Sequence, residues 1–193
     1  MNVYALVLFV HVCGAIGTFA GMSIWLFGVS ALRRARSVEQ VRTITGLMTL
    51  SDPLTVTSIL LLAAAGLYLA IAYWGLQTPW IDVAMASFIL IAPIGPAIVE
   101  PRIKAIGAVA KDAPDGPLSP QLLARTHSTV VATGLHTIVA ALLGIVFLMT
   151  NKPPLTESIL VMVVAFGIGI ISGLSLWLAA RARARHSSTA MVK

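Results

Sequence analysis

Five long apolar stretches recur along this chain, and they constrain its fold more than any other feature. They run over about 3–32, 53–75, 79–99, 127–150 and 156–180. A helix needs about 20 apolar residues to cross roughly 30 Å of hydrocarbon, and each stretch approaches or exceeds that length. Hydrocarbon offers the backbone no water, so only helices or a closed barrel can span it. Barrel strands alternate in polarity, and these stretches do not. The expectation is an all-α, polytopic membrane helix bundle with five transmembrane helices, forming one integral membrane domain over 1–193.

Composition closes off the alternatives. Of the 193 residues, 58% are hydrophobic and 10% are charged, against roughly 25% charged in an average soluble domain. A soluble fold this apolar could not cover its own surface, and a disordered chain would be polar. The first stretch follows only Met1-Asn2-Val3-Tyr4. It lacks a basic n-region and is too long for a signal peptide, so it reads as a retained helix. The lone cysteine, Cys13, allows no intramolecular disulfide and no thiolate cluster.

The net charge of +6 reads as topology rather than a nucleic-acid footprint. Arg33, Arg34, Arg36 and Arg42 follow the first stretch; Arg102, Lys104, Lys111 and Arg125 lie between the third and fourth; Arg181, Arg183, Arg185 and Lys193 follow the fifth. Against these twelve, the other side holds only Lys152. The split places the N-terminus outside and the C-terminus in the cytoplasm. Tyr4, Tyr73, Trp74 and Trp80 fall at the expected outer interface, and Trp177 near the inner one. Gly75-Leu76-Gln77-Thr78-Pro79 is a short uncharged outer hairpin, and Ala113-Pro114-Asp115-Gly116-Pro117 an inner loop. Ser51-Asp52-Pro53 predicts a helix start, with a cap residue and Pro in the first turn.

Small residues mark packing faces. Gly14, Thr18, Gly21, Trp25 and Gly28 recur at 3–4 spacing, with His11 on the same stripe. Gly17/Gly21 and Gly169/Gly173 form GxxxG pairs, which let membrane helices approach closely. The stripe suits bundle packing, or room for a flat ligand beside His11. In the third stretch, Pro93 and Pro96 each remove a backbone donor, which predicts a kink and leaves a lined cavity open.

Few residues could carry chemistry. His11 lies about eight residues below the outer end of the first stretch. Haem ligation, a proton relay, metal ligation and a structural hydrogen bond are all open for it. His136 lies nearer mid-membrane and shares a face with Thr129, Thr133, Ala140 and Gly144. Its depth differs from that of His11 by ~9 Å at 1.5 Å per residue, which disfavours a bis-histidine clamp on one iron. His127 faces the opposite way from His136 and reads as a solvated rim residue, and His186 as part of a basic tail. Asp52 reads as a cap, and Asp82 and Glu157 as outer-rim acids. Glu100 sits at the inner rim, either paired with an arginine there or serving as a gate.

Two resemblances appear in these residues. His11-Val12-Cys13-Gly14, Ser51-Asp52-Pro53 and Thr78-Pro79-Trp80 resemble the pattern of a bacterial family of predicted integral membrane proteins of unknown function. His11 followed by Phe19-Ala20-Gly21 resembles the haem-carrying membrane protoporphyrinogen IX oxidase family and the related copper-resistance D-type domain. That second resemblance implies haem b with His11 as the iron ligand, and a cofactor pocket with His136, Gly14 and Gly21 as its other candidates. Where the oxidase carries Trp-x-His-x-Lys, this chain reads Trp80-Ile81-Asp82-Val83-Ala84. Three functional readings follow: a haem-binding or porphyrin-handling membrane protein, a small transporter or channel, and a non-enzymatic accessory scaffold. The expected partners are the lipid bilayer, haem or a porphyrin, and a second copy or another membrane protein, with no nucleic acid.

Overall fold

The structure is a computed structural model; it describes residues 2–190, with side chains through 175. Trp177, Arg181, Arg183, Arg185, His186 and Lys193 therefore lie outside the described side chains. The elements are α1 (Val3–Leu32), α2 (Val38–Leu50), α3 (Asp52–Leu69), α4 (Pro79–Ile91), α5 (Glu100–Asp112), α6 (Pro120–Thr126), α7 (Thr129–Asn151) and α8 (Leu155–Ala190). Two π-helical segments, Ala70–Trp74 and Ile94–Val99, extend α3 and link α4 to α5. Among the described residues, five continuous helical runs are long and apolar enough to span a membrane: Val3–Leu32, Val38–Trp74, Pro79–Asp112, Pro120–Asn151 and Leu155–Ser175.

Several of these runs outlast the apolar stretches. The second begins at Val38 rather than 53, because α2 runs directly into the expected start: α3 opens at Asp52 with Pro53 in its first turn, and the residue at the cap position is Ser51. Its hydroxyl donates to Met48 O at 2.7 Å, and its side chain caps nothing in α3. The third continues to Asp112, beyond 99, through Pro101 in the first turn of α5. The fourth begins α7 at Thr129, and His127 stands outside it at the end of α6. Charged residues interleave with apolar ones in α2 and α5, so hydropathy ends before the helix does.

The proline kink has a visible form. Pro93 and Pro96 lack the N–H groups that would bond Ile89 and Ala92. The α-helical ladder stops at Ile91 and resumes at Glu100, with wider π turns between. At the other end of the chain's second run, Gly75 adopts φ 77°, a left-handed turn that a side chain would strain.

Two antiparallel hairpins carry the bundle. In the first, Gly14, Thr18, Gly21, Trp25 and Gly28 are all buried. A Cβ on Gly14 would lie 2.6 Å from Leu62 N, one on Gly17 2.2 Å from Ser58 Oγ, and one on Gly21 2.1 Å from Thr55 Oγ1. Gly28 likewise receives Met48 Sδ at 2.6 Å from that position. As α1 proceeds, its partners step back along α3 and then α2, so the helices run antiparallel almost in backbone contact. In the second hairpin the glycines lie mainly on α8. Cβ atoms on Gly169 and Gly173 would meet Thr137 Cα at 2.5 Å and Thr133 Cα at 2.3 Å. The stripe of the fourth stretch is thus a packing face for α8. Gly14 and Gly21 are likewise covered by α3, not by space for a flat ligand.

α4 packs on α7 and α8 through Trp80, Ile81, Ala84 and Ile91, facing Ile138, Ala141, Leu142 and Met162. A second cluster gathers Trp25 and Leu32 of α1, Met48 of α2, Ile103 of α5, Leu122 of α6 and Leu135 of α7. That cluster sits at the basic end. There Arg42 of α2 clamps the following loop, donating to Ala110 O at 2.7 Å, to Ala113 O and to the Asp115 carboxylate. Glu39 accepts from Gly116 N at 3.1 Å, and Val38 N donates to Gly116 O at 2.9 Å. At the opposite end Tyr4 meets Tyr73 edge-on at 5.0 Å, Trp74 meets Trp80 at 5.3 Å, and the Lys152 ammonium lies 4.4 Å from the Trp74 ring.

If the glycine seam holds the first hairpin, Gly14→Ala must push two backbones apart. We expect a loss of about 1–3 kcal/mol in detergent unfolding. At Gly46 a Cβ meets nothing within 4 Å, so Gly46→Ala should be neutral or gain up to about 1 kcal/mol. Equal effects at the two positions would show that the seam does not set the hairpin.

Candidate functional site

The site is built where the first hairpin holds His11. The ring packs on α3 because Gly66 has no side chain: a Cβ there would lie 2.8 Å from His11 Cε1 and 3.0 Å from Nδ1. His11 Nδ1–H donates to the Leu62 carbonyl at 2.9 Å. A carbonyl oxygen only accepts, so Nδ1 carries the proton and Nε2 keeps its lone pair. Nε2 is also the nitrogen farther from α3, 3.9 Å from the Gly66 Cβ position. A metal-ligating histidine is usually held this way, with its other ring N–H given to a backbone carbonyl or carboxylate.

Gly66 and Leu62 were not among the residues singled out by sequence. The available signal was an isolated glycine in the apolar run Ala63-Ala64-Ala65-Gly66, where a helical glycine often has a packing reason. Nothing in sequence pointed to Leu62, since the contribution is its backbone.

His136 is held differently. Its Nδ1–H donates to Ala132 O, one turn back on its own helix, at 2.7 Å. Its Nε2 lone pair is therefore also free. The two histidines have separate settings: His11 is tied to α3, and His136 to α7, whose backbone packs on Gly169 of α8. Thr133, one turn from His136, has a buried hydroxyl with no hydrogen-bond partner. His127 donates from Nδ1 to Leu123 O at 3.0 Å and closes the end of α6.

The acids fall at helix starts. Asp82 and Glu157 occupy the first turns of α4 and α8, where a negative charge suits the helix dipole. Asp52 opens α3, within reach of the Trp25 side chain and of the charges on Glu100 and Lys104. Glu100 pairs with Lys104 one turn on, and not with Arg102, whose guanidinium donates to Ile98 O at 2.7 Å. The reason is that α5 runs through Pro101, which makes i,i+4 the contact distance. Among the described residues, no group of three or more His, Cys, Asp and Glu could hold a metal ion.

The His11–Gly66 contact can be measured as a coupling. Gly66→Ala alone should destabilise the protein, because the ring must move. In a His11→Ala background most of that cost should vanish, giving a coupling of at least about 0.5 kcal/mol in a double-mutant cycle. Additive effects would mean that the ring does not rest on Gly66.

Comparison with known proteins adds one result. Neither a curated protein nor a solved structure matches the chain. Residues 5–153, spanning α1 to the end of α7, match a family described as predicted integral membrane protein (DUF2269), and the chain belongs to that family.

Proposed function

We propose that this integral membrane protein binds haem b or a related metalloporphyrin, which His11 would hold through Nε2. The observation that carries the reading is the His11 Nδ1–H bond to Leu62 O, which leaves Nε2 as a lone-pair donor directed away from α3. Among the described residues, no group of three or more His, Cys, Asp and Glu is gathered to hold a bare ion. A porphyrin brings four nitrogens of its own, so one histidine suffices. Haem, when bound, supplies one-electron chemistry at iron.

The chain's own residues do the holding. Gly14, Gly17 and Gly21 bring α3 close enough for the Leu62 carbonyl to accept the Nδ1–H hydrogen bond, and Gly66 leaves room for the ring. Their role in cofactor binding is to position His11. They do not line the ring, because α3 fills that face. His136, the other histidine with a free Nε2, is the candidate for a second, independent contact.

Visible spectra of protein purified in mild detergent test the reading. The expected result is a Soret band that shifts on reduction and is lost in His11→Ala but kept in His127→Ala. Protein that stays colourless when expressed with added haem precursor would overturn it.

We further propose that the N-terminus lies outside and the basic end faces the cytoplasm of a bacterial inner membrane. The asymmetry of Arg33, Arg34, Arg36, Arg42, Arg102, Lys104, Lys111 and Arg125 against Lys152 supports it. In a Cys13→Ser background, a cysteine at Gln77 should label from outside the cell and one at Lys111 only after lysis. Labelling of both from the same side would contradict the orientation.

A further inference from the structure

We propose that Lys152, Trp74 and Trp80 form a side latch between the two hairpins, and that its opening admits a flat ligand to His11 Nε2. The identity of that ligand rests on the metalloporphyrin reading; the latch does not.

His11 stands at the seam between the hairpins. It lies about three turns before Met22 on α1, so the two residues share one face. Met22 packs against the cluster that α4, α7 and α8 build. The ring ties Nδ1 to Leu62 O of α3, and Nε2 is the nitrogen farther from that helix. The lone pair is therefore on the side of the ring that α3 leaves free, on the face of α1 that meets the second hairpin.

The hairpins close on each other in two different ways. Their backbones come near where α1 packs on α7. Among the described residues, α3 and its π-helical extension make no comparable approach to α4, α7 or α8. That side is closed by side chains. Ala70 packs with Trp80, Ile81 and Ala84. Next to it, Trp74 meets Trp80 edge-on at 5.3 Å, and the Lys152 ammonium lies 4.4 Å from the Trp74 ring and 5.9 Å from the Trp80 ring. Trp74 ends the extension of α3, Trp80 opens α4 and Lys152 follows α7. Three side chains thus join three elements. Tyr4, about two turns before His11, meets Tyr73 beside Trp74, which places this joint at the His11 end of α1. No carboxylate pairs with Lys152 among the described residues, so the indole rings hold the ammonium.

Such a joint can open while the rest stays shut. A cation over an indole parts without breaking a backbone hydrogen bond or unwinding a helix. Trp74 is 39% exposed and Lys152 is exposed, so burial locks neither. The glycine faces of α1 on α3 and of α7 on α8 are packed backbone to backbone and hold each hairpin as a unit. Releasing Lys152 therefore frees one hairpin to swing from the other about the α1–α7 contact, and the seam beside His11 widens.

The test uses the full chain in mild detergent without added haem. Diethyl pyrocarbonate acylates unprotonated imidazole nitrogen, and mass spectrometry reads the rate at each histidine. We expect Lys152→Met to raise the His11 rate about fivefold, with the rates at His127 and His136 unchanged. Lys152→Arg should keep the His11 rate of the unaltered chain. Lys152→Gly, which relieves the left-handed φ of 52°, should act as Lys152→Met does. An unchanged His11 rate in Lys152→Met, or an equal rise at His127 and His136, would overturn the latch. Protein that shows these rates but no Soret band keeps the latch and loses the metalloporphyrin; protein that binds haem with unchanged rates keeps the metalloporphyrin and loses the latch.

Discussion

Close approach of two backbones, at α1 on α3 and at α7 on α8, is the constraint on which the rest of this bundle depends. Lipid tails are as apolar as leucine, so burial of apolar surface does not drive membrane helices together. What remains is dense packing and polar contact, and both require small residues. Gly14, Gly17 and Gly21 supply them on one hairpin, and Gly169 and Gly173 on the other. Without Gly14 and Gly21, α3 would stand off from α1. Leu62 O would then be out of reach of His11, and the imidazole would have no fixed tautomer. Packing and the candidate chemistry are therefore one arrangement.

The hairpins meet where α1 packs on α7 and through the basic-end cluster, where Trp25, Met48, Ile103 and Leu135 interlock. That end is also tied by polar groups. Arg42 gathers the 110–115 segment, and Glu39 holds Gly116. The N-terminal end is bound by rings instead, Tyr4 on Tyr73 and Lys152 over Trp74. The two ends use different chemistry because one carries a dense set of cations and the other carries aromatic rings suited to the membrane interface.

Much of this architecture could be read from residues. Hydropathy located the five spans, and the stripe from Gly14 to Gly28 is the buried face of α1. The partner of that stripe was not legible, because any helix can fill a glycine groove and only three-dimensional pairing chooses α3. α2, α5 and α6 were missed for another reason. Their charged residues lower local hydropathy, while their apolar residues pack on one another at the basic end. Ser51-Asp52-Pro53 does open α3, but the Ser51 hydroxyl bonds back to Met48 O, so α2 ends where α3 starts, and hydropathy carried no sign of α2. At the candidate site, His11 stood out as an ionisable residue in an apolar run. Its partner did not, since a backbone carbonyl leaves no mark in sequence. Glu100 was matched to Arg102 by proximity along the chain, whereas helix periodicity through Pro101 gives it Lys104.

The account rests on one proton: the one on Nδ1 of His11, held by Leu62 O. Nitrogen NMR of protein labelled with ¹⁵N-histidine reports it directly, with the His11 signals assigned by their loss in His11→Gln. The account predicts, for protein without added haem at neutral pH, a neutral ring protonated at Nδ1 with an unprotonated Nε2. A His11 ring protonated at Nε2 with a bare Nδ1 would contradict it, because that tautomer cannot donate to Leu62 and leaves no lone pair on the nitrogen that faces away from α3.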